Sequence, residues 1–191
     1  MTAQLVLASS SPRRRELLLR IATSSTAFAP DTDETPRPWQ NPFTLSMRLA
    51  REKALAAAGR FPGAFVIGSD TSAALDGKTL GKPHGLEDFM DFFPKLSGRV
   101  HTVVTAVALV SPGGEITERI CSVDVEMAAF TADDALRYWR TGEPADKAAG
   151  YAVQGIGARF IRKIDGSPTA LVGLPLPETA ELLAGAGFFD A

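Results

Sequence analysis

The first twenty residues restrict the fold of this chain more than any other segment. A short apolar run at residues 4–8 predicts a buried strand, and the pattern after a serine-rich turn predicts a helix over residues 12–20. Ser11 has a side chain that caps helices, and Pro12 suits the first helical turn. The N-terminal end of a helix is therefore expected directly beside the end of a buried strand.

Three consecutive arginines, Arg13, Arg14 and Arg15, fall in the first turn of that helix. A helix N-terminus already carries about half a positive charge, so positive side chains are unfavourable there unless an anion binds. Free N–H groups and serine hydroxyls at such a turn suit a phosphate group, and arginine adds planar, two-pronged recognition. The alternative is that the arginines are only solvated, with Glu16 offering partial compensation.

Further helices and strands alternate along the rest of the chain. Helices are predicted to begin at Asn41, at Thr131 and after Pro177, and a further helix is predicted over residues 86–96. Strands are predicted at residues 64–69, 101–110, 116–130 and 158–164. Asp76-Gly77 is a strong hairpin signal. Helices and strands intermix without a linker or repeat, which indicates an α/β or α+β class. The length fits one domain over residues 1–191, either undivided or with two lobes around a cleft.

The charge balance restricts the class of partner. The formal net charge is −2, from 20 basic and 22 acidic residues. Because there is no overall excess of positive charge, a stable complex with nucleic acid is not expected. A small anionic ligand is compatible with this balance, since a local basic cluster binds it without changing the total charge.

The cysteine content and the N-terminal segment indicate where in the cell the protein is found. Cys121 is the only cysteine, so no disulfide forms within the chain, and its apolar surroundings indicate a core residue. The N-terminal charges follow a short apolar stretch, which is the wrong order for a secretory signal. No run approaches the roughly 18 apolar residues of a membrane span. These features predict a cytoplasmic protein with no membrane partner.

Acidic residues at two places are candidates for metal binding or proton transfer. Asp70 follows an apolar strand, at the end where α/β sheets bind ligands, and suits a metal ligand or a base acting on water. The alternative is an aspartate that only caps local amides in a turn. Glu34 lies with Asp31 and Asp33 in a loop whose carboxylates suit Mg²⁺, or which is simply an acidic surface loop.

Lysines and histidines give weaker signals. In the helix that begins at Asn41, the apolar spacing predicts an inward face made of Phe43, Met47, Ala50, Ala54 and Ala57. Lys53 then falls on the polar face, where lysines are usually solvated. Lys82 lies in a tight loop after the predicted hairpin, a better place for a phosphate contact.

The two histidines, His84 and His101, lack partners at metal-binding spacing and are interpreted as structural or peripheral.

The segment LASSSPRRRELL at residues 7–18 resembles the signature of the Maf family, the septum-formation-inhibitor-like nucleotide pyrophosphatases. Six further segments resemble the family in its order, so the similarity extends over nearly the whole chain. They are DETPRP at 33–38, REKA at 51–54, GSDT at 68–71, LDGKTLGKP at 75–83, LSGRVHTVVTAVAL at 96–109 and a block at 142–179 that contains DKAAGYAVQG.

The resemblance implies a mixed α/β fold: an elongated, twisted sheet flanked by helices around a central cleft, similar to the inosine triphosphate pyrophosphatases. It also implies hydrolysis of a nucleoside triphosphate between the α and β phosphates, giving a monophosphate and pyrophosphate. A divalent metal cation, Mg²⁺ or Mn²⁺, is the implied cofactor. A homodimer is compatible with the resemblance.

The resemblance also implies roles for individual residues. The implied substrate-binding residues are Ser9, Arg13, Arg14, Lys53 and Lys82. Glu34 and Asp70 are the implied metal ligands. Asp70 also matches the family's proposed proton acceptor, and the choice between base and metal ligand stays open.

Three positions distinguish two branches of the family. The branch that resembles thymidine and uridine triphosphate pyrophosphatases carries Arg, Thr and Gln, and this chain has Arg13, Thr71 and Gln154 there. The branch that resembles 7-methylguanosine triphosphate pyrophosphatases carries Trp, Gln and Glu. The main departure is Ala149-Gly150, where the family usually has Gly-Ala. The resemblance therefore implies hydrolysis of dTTP and UTP, with 7-methylguanosine triphosphate hydrolysis, or a non-catalytic nucleotide-binding regulator of cell division, as the alternatives.

Overall fold

A mixed seven-stranded sheet runs through the part of the chain that the computed structural model describes, residues 4–190. Its main path has the order β2-β1-β3-β5-β6-β7, and β4 pairs with β3 beside that path. The strands are β1 (Leu5–Ala8), β2 (Thr26–Ala27), β3 (Phe65–Leu75), β4 (Lys78–Leu80), β5 (Val100–Val110), β6 (Ile116–Met127) and β7 (Ile161–Asp165). β1 runs parallel to β2 and β3, whereas the other pairs are antiparallel.

Helices flank this sheet, which confirms the predicted fold class. They are α1 (Pro12–Leu18), α2 (Pro42–Ala58), α3 (Leu86–Phe92), α4 (Ala132–Trp139), α5 (Pro168–Val172) and α6 (Leu176–Gly185). Short 3-10 turns occupy Phe93–Leu96, Glu143–Asp146, Ala148–Gly150, Ile156–Phe160 and Phe188–Asp190. None of the helices within residues 4–190 has the length and apolarity that crossing a membrane requires.

Alternate residues of β1 face opposite sides of the sheet and meet different helices. On one side lies a buried cluster from β1, α1 and α6 that includes Leu5, Leu7, Leu17, Leu18, Leu182 and Leu183. On the other side lies a cluster from β1 and α2 that includes Val6, Ala8, Ala50, Ala54 and Ala57. A third, more aromatic cluster joins α3 and α4 to β5 and β6. The first two clusters fix α1 and α2 on opposite faces of the same strand.

Helix α2 lies very close to β3 at Gly68. A Cβ atom on Gly68 would lie 2.2 Å from the carbonyl oxygen of Ala50 and 2.7 Å from the amide nitrogen of Ala54. The helix backbone therefore rests almost directly on the strand, because only small residues separate them. This close approach brings Lys53, the neighbour of Ala54, toward Asp70 on β3.

Local sequence signals predicted several element boundaries correctly. Ser11 caps α1 by accepting a hydrogen bond from the amide of Arg14, and Asn41 and Thr131 begin α2 and α4 with capping boxes. The hairpin at Asp76-Gly77 is also confirmed: Leu75 pairs with Lys78, and the two turn residues have φ values of 52° and 76°. Such left-handed values at both turn positions match the twist of the flanking strands.

Other boundaries differ from the prediction. The strand predicted at 64–69 continues through Asp70 to Leu75, because β5 pairs with it from Val66 to Ala74. Helix α1 ends at Leu18, and the helix predicted over 86–96 becomes a 3-10 turn after Phe92, around Pro94. The last strand starts three residues later than predicted, at Ile161. The short elements α5 and β2 were not predicted.

The predicted inward face of α2 is partly wrong. Phe43 is 44% exposed, whereas Leu45 and Leu49 are buried in its place. Lys53 was assigned to the solvated face, yet it is only 7% exposed. Helix α2 therefore turns a lysine toward the sheet, and a buried charge of this kind requires a partner.

Candidate active site

One cavity of about 860 Å³ is lined by all the residues to which the family resemblance assigned a role. These are Ser9, Arg13, Arg14, Glu34, Lys53, Asp70, Thr71, Lys82 and Gln154. They come from the turn before α1, the loop after β2, helix α2, strand β3 and two later loops. A volume of this size is in the range of small-molecule and cofactor sites.

A gap in the sheet forms part of this cavity. The parallel pairing of β1 with β3 ends at Ala8 and Gly68, and the pairing of β4 with β3 begins only at Ala73. Residues 69–72 of β3 therefore have β5 on one side and no strand on the other, within the described residues. Asp70 and Thr71 lie in this interval. Asp70 lies near the end of β1, which fits a ligand site. The prediction that its own strand, β3, ends there is wrong.

The turn between β1 and α1 presents polar groups to the cavity. The hydroxyl of Ser9 accepts a hydrogen bond from the amide of Ser11 at 3.1 Å, and the hydroxyl of Ser11 accepts one from the amide of Arg14 at 3.4 Å. Ser10 is exposed at the same turn. The strand, turn and helix N-terminus predicted from the sequence therefore meet in the arrangement that suits an anion.

Arg14 is held from three directions. Its Nε donates to the carbonyl oxygen of Gly173 at 2.8 Å, and its two terminal nitrogens donate to the hydroxyls of Thr71 at 3.1 Å and Ser9 at 3.4 Å. Burial lowers the pKa of Arg14, and the nearby carboxylates of Asp70 and Glu34 oppose that shift. The guanidinium is thus fixed at the cavity wall before any ligand arrives.

Thr71 belongs to a hydrogen-bonded chain that ends at Arg14. The hydroxyl of Thr105 donates to the carbonyl oxygen of Ala170 at 2.8 Å, so its proton is not available to Thr71. The 3.0 Å contact between the two hydroxyls is then donated by Thr71, which is left to accept from Arg14. This order links Arg14 to the protein core through two threonines.

Lys53 joins the two acidic residues that the resemblance assigned to a metal. Its Nζ lies 2.7 Å from Oδ1 of Asp70 and 2.5 Å from Oε1 of Glu34. Burial raises the pKa of Glu34, but the hydrogen bond and the charge of Lys53 outweigh burial, so the net shift is downward. The buried lysine thus has two carboxylate partners, and Glu34 is favoured in its ionised form.

These carboxylates fit a divalent cation bound together with phosphate. Within residues 4–190 no group of three or more acidic, histidine or cysteine side chains is arranged to hold a metal ion. Mg²⁺ in nucleotide enzymes usually takes only one or two protein carboxylates, and its other ligands are substrate phosphates and water. Asp70 and Glu34, brought together at one ammonium group, provide that number of ligands.

Two further lysines line the cavity from loops later in the chain. Lys82 is exposed on the loop after β4, and that loop is tied to the 147–150 segment by a hydrogen bond from the Ala149 amide to the Gly81 carbonyl at 3.2 Å. Lys147 also lines the cavity and pairs with Asp146, whose pKa is lowered by that lysine and, more weakly, by Arg13. Sequence reasoning did not single out Lys147, although it stands in the segment DKAAGY.

The departure from the family pattern at Ala149-Gly150 has a structural counterpart. Both residues have left-handed backbone conformations, with φ values of 56° and 69°. Ala149 thus adopts a conformation that favours the glycine usual at this position. A Cβ atom on Gly150 would lie 2.9 Å from the ring of Phe89, so this chain requires glycine there.

The two histidines and the cysteine lie in different environments. His101 is 2% exposed and its Nε2 lies 2.9 Å from the hydroxyl of Tyr151, and burial lowers its pKa to about 4. His84 is exposed at the cavity opening. Cys121 is half-buried, and burial raises the pKa of its thiol to about 12. A neutral, unreactive thiol agrees with its interpretation as a packing residue.

Comparisons with known proteins agree with the family resemblance seen in the sequence. The profile of the family described as "Maf-like protein" matches residues 4–186. The "dTTP/UTP pyrophosphatase" of Colwellia psychrerythraea is 44% identical over 190 residues, which cover 97% of this chain and 89% of that protein. The protein of the same name from Hyphomonas neptunium is 44% identical over 188 residues, covering 98% and 97%.

The fold has a counterpart among solved structures. The structure of the Staphylococcus aureus Ham1 protein aligns with 95% of this chain and 98% of that chain, with a TM-score of 0.50 and 15% sequence identity. At this level of identity the similarity supports the fold alone.

Proposed function

The chain belongs to the Maf family, and from that membership we propose that it is a pyrophosphatase that hydrolyses dTTP and UTP to the monophosphate and pyrophosphate. Curated relatives that share 44% of their residues with nearly the whole chain carry this activity in their names. The observation that carries the proposal is that one cavity is lined by both the Arg14 turn and the Lys53–Asp70–Glu34 cluster.

The triphosphate lies at the cationic side of the cavity. Ser9 and Arg14 bind phosphate oxygens at the start of α1, where the helix N-terminus adds a favourable potential. Arg13 and Lys82 provide further positive charge from the edges of the cavity, and neither forms a hydrogen bond with its side chain within residues 4–190. Because Arg14 is already held by Gly173 and Thr71, its side chain loses little conformational freedom when phosphate binds.

Asp70 and Glu34 would hold the divalent cation, Mg²⁺ or Mn²⁺, which would supply positive charge to neutralise the phosphates. Asp70 also orients a water and accepts its proton as the oxygen attacks the α-phosphorus. The bond from that phosphorus to the bridging oxygen breaks, and pyrophosphate leaves with the electron pair. Lys53 keeps both carboxylates in place between turnovers, because its Nζ contacts both of them.

Gln154 and an apolar wall contact the base. The apolar residues that line the cavity include Leu80, Val103, Tyr151, Val153 and Leu171. A carboxamide offers both a donor and an acceptor, which suits the alternating edge of a pyrimidine such as thymine or uracil. Thr71 acts on the phosphates and not on the base, since its hydroxyl is already used by Arg14 and Thr105.

A nucleotide panel tests the proposal. The protein is incubated with dTTP, UTP, purine triphosphates and 7-methylguanosine triphosphate, each with Mg²⁺ or Mn²⁺, and released pyrophosphate and phosphate are measured separately. We expect pyrophosphate from dTTP and UTP, and loss of turnover when a chelator removes the metal. Release of single phosphate would contradict cleavage between the α and β phosphates. Binding of nucleotide without any turnover would favour the regulatory alternative, and preference for 7-methylguanosine triphosphate the other enzyme branch.

A further inference from the structure

Gln154 occupies a loop whose position depends on residues outside the cavity. Its side chain is exposed to the cavity and forms no hydrogen bond within the described part of the chain. The location of its carboxamide is therefore set by the backbone of residues 152–157. That backbone is held by two side chains, Tyr138 and Glu143, that do not line the cavity.

Glu143 binds the C-terminal side of this loop. Its Oε1 accepts from the amide of Ile156 at 2.9 Å, and its Oε2 accepts from the amide of Gly157 at 2.8 Å and from the hydroxyl of Tyr138 at 2.6 Å. Burial raises the pKa of Glu143, but these three donors outweigh burial and lower it. An ionised carboxylate with three donors makes stronger hydrogen bonds than a neutral group would.

Tyr138 binds the N-terminal side of the same loop. Its hydroxyl donates to Glu143 and accepts from the amide of Ala152 at 3.1 Å. The ring is 2% exposed and packs in the aromatic cluster of Phe89, Phe93 and Phe160, so the hydroxyl has little freedom to move. Tyr138 and Glu143 thus hold the residues two before and two after Gln154.

The loop has no space to adjust around these contacts. A Cβ atom on Gly155 would lie 2.0 Å from Oε1 of Glu143, and one on Gly157 would lie 2.5 Å from the hydroxyl of Tyr138. Glycine at both positions lets the backbone approach the two side chains closely enough for direct hydrogen bonds. The glycines, the tyrosine and the glutamate therefore form one unit, which we term the Gln154 clamp.

We propose that Tyr138 and Glu143 are positioning residues that fix Gln154 against the base of the nucleotide, so that base selection depends on the clamp. This inference rests on the proposed function. The clamp acts on the base and not on the phosphates, because Arg14, Lys53 and Asp70 are held by contacts to other elements. Weakening the clamp therefore lowers the preference for one base over another more than it lowers kcat.

The test compares Tyr138→Phe and Glu143→Gln with Gln154→Ala. For each variant, kcat and KM are measured for UTP and for a purine triphosphate, and folding is followed by circular dichroism and thermal unfolding. We expect Tyr138→Phe and Glu143→Gln to lower the UTP-to-purine ratio of kcat/KM by about fivefold to tenfold, mainly through KM, as expected when about one hydrogen bond of positioning is lost. Thr131→Ala removes the cap of α4, the helix that carries Tyr138, and should leave the ratio unchanged.

A double variant decides whether the clamp acts through Gln154. In a Gln154→Ala background, Tyr138→Phe should change the ratio no further, since the carboxamide it positions is gone. The inference would be overturned if Tyr138→Phe alone kept the wild-type UTP-to-purine ratio of kcat/KM. It would also be overturned if the effects of Tyr138→Phe and Gln154→Ala simply added in the double variant. If Glu143→Gln fails to fold, the conservative Tyr138→Phe still decides the question. A wild-type protein that releases no pyrophosphate from any nucleotide would instead contradict the proposed function.

Discussion

Nζ of Lys53 on α2 lies 2.7 Å from Oδ1 of Asp70 on β3, and both side chains are almost fully buried. The contact depends on the close approach of the helix to the strand at Gly68. A buried ion pair contributes little to stability by itself, because desolvation offsets most of the attraction. Its presence beside a half-exposed Glu34, in the wall of a cavity of about 860 Å³, indicates a functional role.

Removing the charge of Asp70 should abolish turnover without unfolding the protein. Asp70→Asn keeps the shape of the side chain, and Lys53 keeps Glu34 as a partner. We expect kcat to fall by about a hundredfold or more, since the variant loses both proton acceptance and a metal ligand. Pyrophosphate release and circular dichroism are the measurements. The control is Asp165→Asn, which removes an exposed ion pair with Lys163. A near-wild-type kcat for Asp70→Asn would contradict the role assigned to Asp70.

Replacing Lys53 should lower the stability of the protein more than replacing a lysine in a surface pair. Lys53→Met leaves two carboxylates facing each other, and we expect the free energy of unfolding to fall by about 2 kcal/mol, less than for a fully enclosed pair because the cavity opens to solvent. Lys95→Met removes an exposed pair with Asp91 and should cost less than about 1 kcal/mol. Denaturant unfolding measures both. Equal effects would show that the Lys53 cluster is no more important than a surface pair.

Sequence reasoning succeeded where structure is decided locally. The caps at Ser11 and Asn41 and the turn at Asp76-Gly77 depend on residues within four positions of one another, and all three formed as predicted. The candidate site residues also converge on one cavity, although they were assigned from a strand–turn–helix pattern and a family resemblance and not from contacts.

Sequence reasoning failed where distant segments decide the outcome. Helical periodicity placed Lys53 in solvent because it carries no information about the carboxylates on β3 and in the loop before α2. Strand β3 runs past Asp70 because β5 pairs with it from Val66 to Ala74. Arg14 is anchored by Gly173, a residue 159 positions away, in a segment for which no helix was predicted. Tyr138 and Glu143 likewise became candidates only once their contacts with the Gln154 loop were seen.

A methyl group on Gly68 should disturb stability and activity together. Gly68→Ala places Cβ against the backbone of α2, which must move away from β3. We expect a loss of about 3 kcal/mol or more in the free energy of unfolding and a longer Lys53–Asp70 contact, hence lower kcat. Gly185→Ala near the end of α6 has open space and should not destabilise the protein. A stable, fully active Gly68→Ala would show that α2 is not fixed at this distance.

Removing the hydroxyl of Thr71 should weaken phosphate binding for all bases alike. Thr71→Val keeps the side-chain shape but breaks the chain from Arg14 to Thr105. We expect KM to rise about tenfold for dTTP, UTP and purine triphosphates, the effect of about one hydrogen bond. Thr102→Val, whose hydroxyl bonds to the exposed Asp124, is the matched control. A change in base preference without a uniform rise in KM would instead indicate direct contact of Thr71 with the base.

His101 should make the protein less stable in mild acid. Burial lowers its pKa from 6.5 to about 4, although Asp124 and the backbone of Val125 oppose the shift. Above pH 6.5 the histidine is neutral in both the folded and the unfolded chain, so stability is fully retained. As the pH falls from 6.5 toward 4, the unfolded chain takes up a proton that the folded chain does not, and the free energy of unfolding decreases.

The size of this effect follows from the width of the pH window. One pKa unit corresponds to about 1.4 kcal/mol, so the loss approaches about 3 kcal/mol by pH 4. Denaturant unfolding at a series of pH values measures it. His101→Gln keeps a polar partner for Tyr151 but does not titrate, so it should be less stable than wild type at pH 8 and show a flatter profile between pH 6.5 and 4.5. Parallel profiles for the two proteins would mean that His101 titrates normally and that other groups cause the acid sensitivity.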